Sequence, residues 1–437
     1  MHKNIFIVGL DAPNHARLRA LPTAQPCHYH GLFSYEQVQG PARLPLEHLL
    51  HEASERLVSF PGTVDAVAGY WDFPVSDMIP ILANRFALPS ASLASVLRCE
   101  HKYWSRLEQA RVVPEHVPAF AAVDPDEPAV RTWSRLAGRL GVPFWLKPIK
   151  SFQSYLGFRI GSVEELEAAL QAMRLHLPMF AGPFDQLLTR AGLPGELDGV
   201  GGGHCIAEQL IGGWQCTVEG HVAHGQVCTH GIVDSVRHDN GVSFDRYQYP
   251  SRLPQHVQLA MTGIVERLVR RLGLNQTAFN CELYHDQAAG RIWVLEINPR
   301  ISQSHADIFE KVDGVSNHHV MVELALGRTP HMPWRQGRFK VAAKCFVRRF
   351  DDGFVQRVPE AGTIERLERE IPGVQVQVKV RPGVRLSTLF GQDSYSFVLA
   401  EVYVGGDSEE ELLEKRRYCE QALEFVVEPV REEERAA

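Results

Sequence analysis

The sequence predicts a multidomain protein in which α/β segments precede an α+β segment. Three observations support this fold class. The chain has 437 residues, which corresponds to about two to four domains. Strand-like and helix-like segments alternate near the amino terminus, which is typical of a parallel sheet. Further along, a hairpin-like pair of strands is followed by a new strand-rich region that begins at about residue 335.

The composition excludes several classes of protein. Apolar residues make up 45% of the chain and charged residues 22%. This is ordinary globular usage, so disorder, collagen and coiled coil are excluded as the main architecture. The 45 basic and 52 acidic side chains give 45 − 52 = −7. We therefore expect no general binding to nucleic acid or to an anionic membrane surface.

Two further features indicate a cytoplasmic protein. The apolar run at residues 5–10 is too short for a signal peptide or a membrane span, and it predicts a buried strand. The eight cysteines are scattered and form no C-x-x-C pair. We therefore expect reduced thiols that act mainly as small buried apolar groups.

Residues 1–95 predict an α/β unit. The expected elements are a strand at 4–9, a helix at 46–58, a strand at 65–68 and a helix at 77–86. No G-x-G-x-x-G follows the first strand, so a dinucleotide-binding Rossmann domain is not favoured. The Cys-His-Tyr-His run at 27–30 lacks partner ligands at zinc-finger spacing, and it predicts a loop.

The middle of the chain predicts a helix at 101–110, a strand at 144–149 and a loop at 150–157. Ser162 and Glu165 form a capping box that begins the next helix. Three prolines and a glycine run predict a long mobile loop at 178–203. The later elements are strands at 205–211, 217–222 and 226–233 with a turn at 224–225, helices at 255–272 and 317–326, strands at 341–347, 374–380 and 397–404, and a final helix opened by Asp407 and Glu410.

The segment at 278–300 carries the chemical information. Two strand-like runs flank a short connection that contains glycine, so they predict a hairpin. If the loop is 287–291, Asp286 pairs with Ile292 and Glu282 lies opposite Glu296. Asn298 then shares the face of Glu296, because side chains alternate along a strand.

Two facing carboxylates repel each other. At ~5 Å and an effective dielectric of about 20, the cost is about 3 kcal/mol. Solvated glutamates on a surface hairpin are the simple alternative. The neighbours of Glu296, however, are apolar, and a carboxylate there needs a partner. Glu282, Glu296 and the Asn298 amide oxygen are hard ligands that suit Mg²⁺ with nucleotide phosphates, and Arg300 adds a fork for an oxyanion.

This pattern resembles the ATP-grasp superfamily, whose strands carry Glu and then Glu-x-Asn-x-Arg. Here these are Glu282 and the E-I-N-P-R run at 296–300. The order of the other segments is also similar over most of the chain. The resemblance implies an ATP-grasp fold with a Rossmann-like amino-terminal α/β domain and a carboxy-terminal α+β domain. The implied domains are 1–98, 99–204, 205–334 and 335–437.

The resemblance also implies roles for residues outside the hairpin. Glu-His-Lys at 100–102 is similar to the family's helix start, so Lys102 would reach phosphate. Lys147 lies in an apolar strand, where a buried ammonium needs a counter-charge such as phosphate. The remaining implied nucleotide contacts are Ser154 in the phosphate lid, Glu208, Gln209 and Ile211 in the adenine hinge, and Gln215 where the family has a ribose-binding glutamate.

Two departures concern the lid and the acceptor pocket. The segment at 150–157 has one glycine and two aromatic residues, whereas the family's lid is usually glycine-rich. After Arg300 many members have a glycine pair, but this chain continues Ile-Ser-Gln-Ser-His. His305 is a candidate base or substrate contact, and a polar residue at a helix start is the equal alternative.

The implied activity is an ATP-dependent ligase that joins a small carboxylate to an amine through an acyl phosphate. Mg²⁺ is the expected ion, with Mn²⁺ as a substitute, and Arg300 is the catalytic residue. The expected partners are small-molecule substrates, with a homodimer as the candidate assembly. Two alternatives stay open: carboxylation of the biotin-carboxylase kind, and a nucleotide-binding regulatory protein without catalysis.

Overall fold

The computed structural model describes residues 2–39, 45–151, 156–192, 194–197, 199–389, 392 and 395–430. Contacts divide the chain into two compact units. The first comprises Met1–His230, Leu253–Gln303 and His318–His331. The second comprises Gly231–Arg252, Ser304–Asn317 and Met332–Ala437. The finer division into four domains stays a prediction.

The described residues form strands and helices along the whole chain. The strands are β1 (Lys3–Val8), β2 (Cys27–Phe33), β3 (Ala66–Ala68), β4 (Phe120–Val123), β5 (Phe144–Pro148), β6 (Phe158–Ile160), β7 (Cys205–Gln209), β8 (Trp214–Ala223), β9 (Gln226–Arg237), β10 (Phe244–Tyr249), β11 (Thr277–Asp286), β12 (Arg291–Asn298), β13 (Val341–Arg349), β14 (Gly353–Arg357), β15 (Gln375–Val378), β16 (Phe397–Gly406) and β17 (Val426–Pro429). The helices are α1 (Ala12–Arg19), α2 (Tyr35–Gln39), α3 (Leu46–Val58), α4 (Val75–Arg85), α5 (Leu93–Glu100), α6 (Lys102–Val112), α7 (Ala129–Leu140), α8 (Val163–His176), α9 (Pro178–Ala191), α10 (Gln255–Leu272), α11 (Ala306–Asp313), α12 (His318–Ala325), α13 (Ala361–Glu370) and α14 (Glu409–Ala422).

The described residues of the first unit form two whole sheets and part of a third. A parallel sheet has the order β2-β1-β3, as the alternating pattern predicts. An antiparallel sheet has the order β4-β7-β5-β6. A third sheet runs β12-β11-β8 and continues into the first part of β9. The turn that leads into β9 has positive φ at His224 (50°) and Gly225 (78°), as expected for a two-residue hairpin.

The second unit holds the end of β9 followed by β10, β13, β16 and β15, together with the pair β14-β17. Its core packs strands β13, β15 and β16 against α13 and α14, through apolar side chains such as Leu367 and Leu412. This arrangement confirms the expected α+β character of the carboxy-terminal part. Strand β10 has no counterpart in the prediction, because its alternation is short and interrupted by Asp245 and Arg246.

The helical patterns with clear amphipathic spacing were the most predictable. The bounds of α3 and α10 agree with the prediction residue for residue. Helix α10 ends at Leu272 and is followed by Gly273, whose left-handed φ of 72° costs glycine little conformational energy. Helix α8 begins after Ser162, whose hydroxyl oxygen accepts a hydrogen bond from the Glu165 backbone N–H at 3.2 Å.

Two predicted loops are regular elements. Residues 27–33 form β2, which pairs with β1 along its length, so the predicted loop at 27–30 is wrong. Residues 178–191 form α9 and not a mobile loop. Pro178 lies at its first position, where the missing N–H costs nothing. The buried side chains Phe184, Leu187 and Leu188 join the core of the parallel sheet, and this tertiary packing outweighs the effect of the prolines.

The burial of α9 leads to a stability prediction. Replacement of Leu187, which has no exposed surface, by alanine should lower the free energy of unfolding by about 2–5 kcal/mol, because it leaves a cavity. Leu175 on α8 is 73% exposed, and Leu175→Ala is the matched control, expected within ~0.5 kcal/mol of the parent. Chemical denaturation measures both. Equal effects of the two substitutions would contradict the packing of α9.

Candidate active site

The hairpin of β11 and β12 brings two carboxylates together. Glu282 on β11 pairs directly with Glu296 on β12, as the sequence predicts. The register near the turn differs from the prediction, since Asp286 pairs with Arg291 and not with Ile292. A β-bulge in β12 restores the predicted pairing of the glutamates. Leu283 on β11 pairs with Val294 on β12, but the next residue, Glu282, pairs with Glu296, so Leu295 is the extra residue. Both glutamates are half-buried.

Asn298 lies on the same face and is oriented by a neighbour. Its Nδ2 donates to Oδ1 of Asn280, the residue directly opposite on β11, at 3.0 Å. Asn280 in turn donates through its Nδ2 to the backbone oxygen of Arg300 at 3.0 Å. The Asn298 amide therefore turns its nitrogen toward Asn280 and leaves its oxygen for another partner. Sequence reasoning missed Asn280, although the predicted register already placed it opposite Asn298.

Gln215 on β8 contacts the first carboxylate. Its Nε2 donates to Oε2 of Glu282 at 2.8 Å, and the side chain is 3% exposed. A glutamate at this position would add a third carboxylate beside Glu282. The amide instead contributes a hydrogen bond without charge repulsion. The ribose-binding role that the resemblance implied for Gln215 stays a prediction.

Lys147 on β5 has a protein counter-charge. Its Nζ lies 2.6 Å from Oε2 of Glu208 on β7. The other Glu208 oxygen accepts a hydrogen bond from Nε of Arg106 at 2.5 Å. Burial alone would raise the pKa of Glu208, but Arg106 and Lys147 outweigh this effect and lower it to about 2. The Glu208 side chain thus forms a buried ion-pair cluster, and the predicted contact of its backbone with adenine stays a prediction.

Lys102 lies at the start of α6 beside the same group of charges. Its Nζ donates to the backbone oxygen of Ser151 at 3.1 Å. Removal from water lowers the pKa of Lys102, and the nearby Glu296 opposes this shift. This opposing effect indicates that Lys102 lies within electrostatic range of Glu296, and its predicted phosphate role stays a prediction. Ser154 of the predicted lid lies in 152–155, outside the described residues.

The hinge segment follows the end of β7. Gln209, the last residue of β7, exchanges two hydrogen bonds with Ala119. Its backbone N–H donates to the Ala119 oxygen at 2.8 Å, and its Oε1 accepts from the Ala119 N–H at 3.4 Å. Ile211 lies beyond the strand and is half-buried. Their predicted contacts with adenine stay predictions.

Arg300 begins a chain of alternating charges that sequence reasoning missed. Its Nη2 donates to Oδ2 of Asp72 at 3.1 Å, and Lys150 Nζ donates to the other Asp72 oxygen at 3.1 Å. Lys150 is 2% exposed and also forms an ion pair with Glu100. Burial alone would raise the pKa of Asp72, but Lys150 and Arg300 hold it well below its usual range. The residues are far apart in sequence, so no local pattern could reveal them.

His305 lies in the second unit, at the residue before α11. It is 3% exposed, and its ring packs nearly perpendicular to that of Tyr247, with 5.0 Å between ring centroids. A buried residue at a helix start agrees with the simple alternative. The proposed role of His305 as a base or substrate contact stays untested.

Glu282, Glu296 and Asn298 supply some, but not all, of the ligands that a divalent cation needs. Among the residues that the structure describes, no group of three or more His, Cys, Asp or Glu is arranged to hold a metal. The candidate ligands are instead two carboxylates and one amide oxygen. Such a set leaves coordination positions for phosphate oxygens and water, which is how Mg²⁺ commonly binds at nucleotide sites.

Comparison with known proteins identifies the central region. Residues 140–306, which include β5, β7 and the hairpin, match the family model of the ATP-grasp domain. This match assigns residues 140–306 to the ATP-grasp domain family. The matched residues include Lys147, Glu282, Glu296 and Arg300, which the sequence resemblance had identified. A search of curated proteins finds no match for the sequence.

Solved structures show that the ATP-grasp fold extends over nearly the whole chain. An L-amino acid ligase from Bacillus licheniformis has a TM-score of 0.72 at 18% identity, covering 97% of this chain and 98% of that one. A phosphoribosylglycinamide synthetase from Anaerococcus prevotii has a TM-score of 0.64 at 10% identity, with coverage of 98% and 100%. These similarities confirm the predicted ATP-grasp fold.

A third structure was determined with nucleotide and metal. It is the biotin carboxylase domain dimer of 2-oxoglutarate carboxylase from Hydrogenobacter thermophilus, in complex with MgADP, ADP and bicarbonate. Its TM-score is 0.61 at 15% identity, covering 98% of this chain and 91% of that one. The solved structures with this ATP-grasp fold thus include both ligases and carboxylases. In the described part of the chain, no helix is long and apolar enough to span a membrane.

A buried carboxyl group, Asp77, lies within electrostatic range of Asp72 and Lys150 and predicts an effect of pH on stability. Asp77 is fully buried, and its Oδ1 has no hydrogen-bond partner among the described residues. Burial raises the pKa of Asp77 from 3.8 to about 7, an effect that Lys150 opposes and Asp72 increases. Between these two pKa values Asp77 is protonated in the folded state and ionised in the unfolded state. The stability that Asp77 contributes therefore falls as pH rises.

Asp77→Asn should remove this dependence. The stability of the parent relative to Asp77→Asn is expected to fall between about pH 4 and pH 7, as measured by thermal unfolding at several pH values. Asp65→Asn is the control. Hydrogen bonds from Lys3 and Asn4 outweigh burial and lower the pKa of Asp65 to about 2, so its stability difference should be constant from about pH 5 to 7. A constant difference for Asp77→Asn would contradict the assignment.

Proposed function

We propose that the protein is an ATP-dependent ligase that joins a carboxylate to an amine and releases ADP and phosphate. One observation carries the proposal: Glu282 and Glu296 are paired across β11 and β12, with Asn298 on the same face. Such close like charges need a cation. A nucleotide-bound Mg²⁺, for which Mn²⁺ is a substitute, would supply it.

The donor types fit this ion. Glu282, Glu296 and the Asn298 oxygen would hold Mg²⁺ together with phosphate oxygens, consistent with its preference for oxygen ligands. When bound there, Mg²⁺ would neutralise charge on the terminal phosphates of ATP. Asn280 would keep the Asn298 oxygen turned toward the ion, since it accepts from the other side of that amide.

The basic residues would neutralise and orient phosphate. Lys102 and Lys147 carry the charge: Lys102 lies within electrostatic range of both Glu296 and Lys147, and Lys147 is paired with Glu208 in a partly buried position. Arg300 would donate to the transferred phosphoryl group and to the substrate carboxylate, with Asp72 holding the guanidinium in place. Preorganised donors of this kind stabilise developing negative charge without reorganisation during the reaction.

The reaction would proceed in two transfers. A carboxylate oxygen attacks the γ-phosphorus of ATP and ADP leaves, which forms an acyl phosphate. The amine nitrogen then attacks the acyl carbon, loses a proton and displaces phosphate. The first step replaces a poor leaving group by a good one. The backbone of 208–211 would contact adenine, and Gln215 would reach the ribose as an uncharged partner.

The amine is proposed to be an amino acid or a related small molecule. The similarity to a structure described as an L-amino acid ligase supports this choice. Carboxylation is the second candidate, since the chain also resembles a biotin carboxylase domain. A homodimer stays the candidate assembly.

An ADP-release assay tests the reaction class. With Mg²⁺, ATP and a pool of the common amino acids, we expect ADP formation that depends on the pool. Hydroxylamine should divert the reaction to a hydroxamate, because it captures an acyl phosphate. Bicarbonate-dependent ADP formation without amino acids would favour carboxylation. Tight ATP binding without any turnover would favour the regulatory alternative.

Glu296→Gln tests the carboxylate pair. It preserves the shape of the side chain but removes one charge, so it should reduce Mg-ATP turnover to below a few per cent of the parent. The thermal midpoint should be unchanged or slightly higher, because the repulsion with Glu282 is lost. Glu266→Gln on α10, where the glutamate side chain is 46% exposed, is the matched control with full activity. Substantial activity in Glu296→Gln would refute the metal assignment.

A further inference from the structure

A single buried guanidinium joins the phosphate side of the candidate site to its metal side. Arg106 on α6 is 2% exposed. Its Nε donates to Glu208 on β7 at 2.5 Å, and its Nη1 donates to Oε1 of Gln109 at 2.6 Å. The two terminal nitrogens also donate to the backbone oxygens of Val294 and Leu295 on β12, each at 2.8 Å.

The two backbone contacts depend on the bulge in β12. Consecutive carbonyl groups of a regular strand point toward opposite neighbours, so one guanidinium could not take both. An extra residue breaks this alternation, and the bulge at Leu295 lets two successive carbonyls turn toward Arg106. β12 is also the edge strand of its sheet. Arg106 therefore satisfies oxygens that have no neighbouring strand on that side.

The bulge determines where Glu296 lies. Without the extra residue, the register that starts from Val294 opposite Leu283 would place Leu295 opposite Glu282. Glu296 would then be displaced by one position and point to the other face of the sheet. The contacts from Arg106 thus stabilise the backbone geometry that places the two carboxylates together.

The contact between Arg106 and Glu208 affects Lys147. Glu208 is 4% exposed and has two basic partners, Arg106 and Lys147. If Lys147 were its only partner, movement of the ammonium toward a phosphate would leave a buried carboxylate uncompensated, at a large cost. Arg106 keeps Glu208 paired, so Lys147 can turn to a nucleotide.

We propose that Arg106 is a positioning residue for the magnesium–nucleotide site, acting on Glu296 through the bulge and on Lys147 through Glu208. This inference rests on the proposed function, since it assumes that Glu296 binds the ion. It assigns Arg106 no contact with substrate or metal. Its effect is to hold the ligand and the phosphate-binding lysine in geometries that the sheet alone does not impose.

Only arginine has the required donors. The four acceptors lie around the planar guanidinium group, whose N–H bonds point in fixed directions within that plane. A lysine at 106 keeps the positive charge for Glu208, but its compact ammonium cannot span Glu208 and both carbonyls. Arg106→Lys therefore separates geometry from charge. The variant should retain the ion pair with Glu208 but lose the hydrogen bonds to the Val294 and Leu295 carbonyl groups that stabilise the bulge.

The test measures nucleotide binding and not turnover. A non-hydrolysable ATP analogue is titrated into the full chain by calorimetry, with and without Mg²⁺. For the parent we expect tighter binding with Mg²⁺. Arg106→Lys should lose about 10–100-fold of this Mg²⁺-dependent gain, the usual effect of removing a residue that orients a metal ligand. Binding without Mg²⁺ should change much less.

Arg98 provides the matched control. This half-buried arginine on α5 also donates to a backbone oxygen, that of Leu272 at 3.3 Å, and it lies over the Trp104 ring. Arg98→Lys should alter thermal stability without altering the Mg²⁺-dependent gain. An equal loss of the gain in both variants would show a general structural effect and overturn the proposal.

The remaining outcomes are also decisive. If the parent shows a Mg²⁺-dependent gain and Arg106→Lys keeps it, the role of Arg106 is wrong while the metal site stands. If the parent shows no gain, the metal site itself fails. Should Arg106→Lys not fold, Gln109→Met removes one acceptor of Arg106 without touching the charges. It is expected to lower the gain several-fold, and an unchanged gain would overturn the inference.

Discussion

The approach of two carboxylates across one strand pair is the constraint on which the rest of the site depends. Glu282 and Glu296 lie directly opposite each other. Opposite residues of an antiparallel pair have Cβ atoms about 5 Å apart, and at an effective dielectric of about 20 two ionised carboxylates at that distance repel each other by about 3 kcal/mol. The surrounding residues reduce this cost without removing the charges. Gln215 donates a neutral hydrogen bond to Glu282, and Lys102 lies within electrostatic range of Glu296. The cation that we propose to bind there with a nucleotide would offset the remaining repulsion.

Hydrogen-bonded amides and paired charges hold the site in shape. Asn280 orients Asn298 and also binds the backbone of Arg300, so one side chain aligns a candidate metal ligand with the start of the following turn. Asp72 fixes the guanidinium of Arg300 from another part of the chain. Because each contact uses a buried or half-buried polar group, loss of one partner would leave another unpaired, which is costly.

Arg106 and Glu208 connect elements that are distant in sequence. Through them α6, β5, β7 and β12 share one buried charge cluster. The β-bulge at Leu295 is central to this connection, since it both sets the register of Glu296 and exposes the carbonyl groups that Arg106 binds. The site thus combines irregular backbone with a side chain that stabilises it, and the two features depend on each other.

Elements with strong local signals were predictable from the sequence. The spacing of apolar residues defined α3 and α10, and the strand–turn–strand pattern placed Glu282 opposite Glu296. Where local and tertiary effects conflict, the prediction failed. Prolines suggested a loop where α9 is held by core packing, and weak alternation hid β2, which is held by its pairing with β1.

The sequence alone determined the secondary structure of its regular segments, the hairpin that carries the two carboxylates and the side-chain types proposed to bind metal and phosphate. These depend on residues that are close in sequence or repeat with a fixed period. The tertiary structure decided the bulge at Leu295, the partners of Lys147 and the chain from Arg300 through Asp72 to Lys150. Those features join residues tens to hundreds of positions apart, and such contacts arise only when the packed elements bring buried charges within hydrogen-bonding distance.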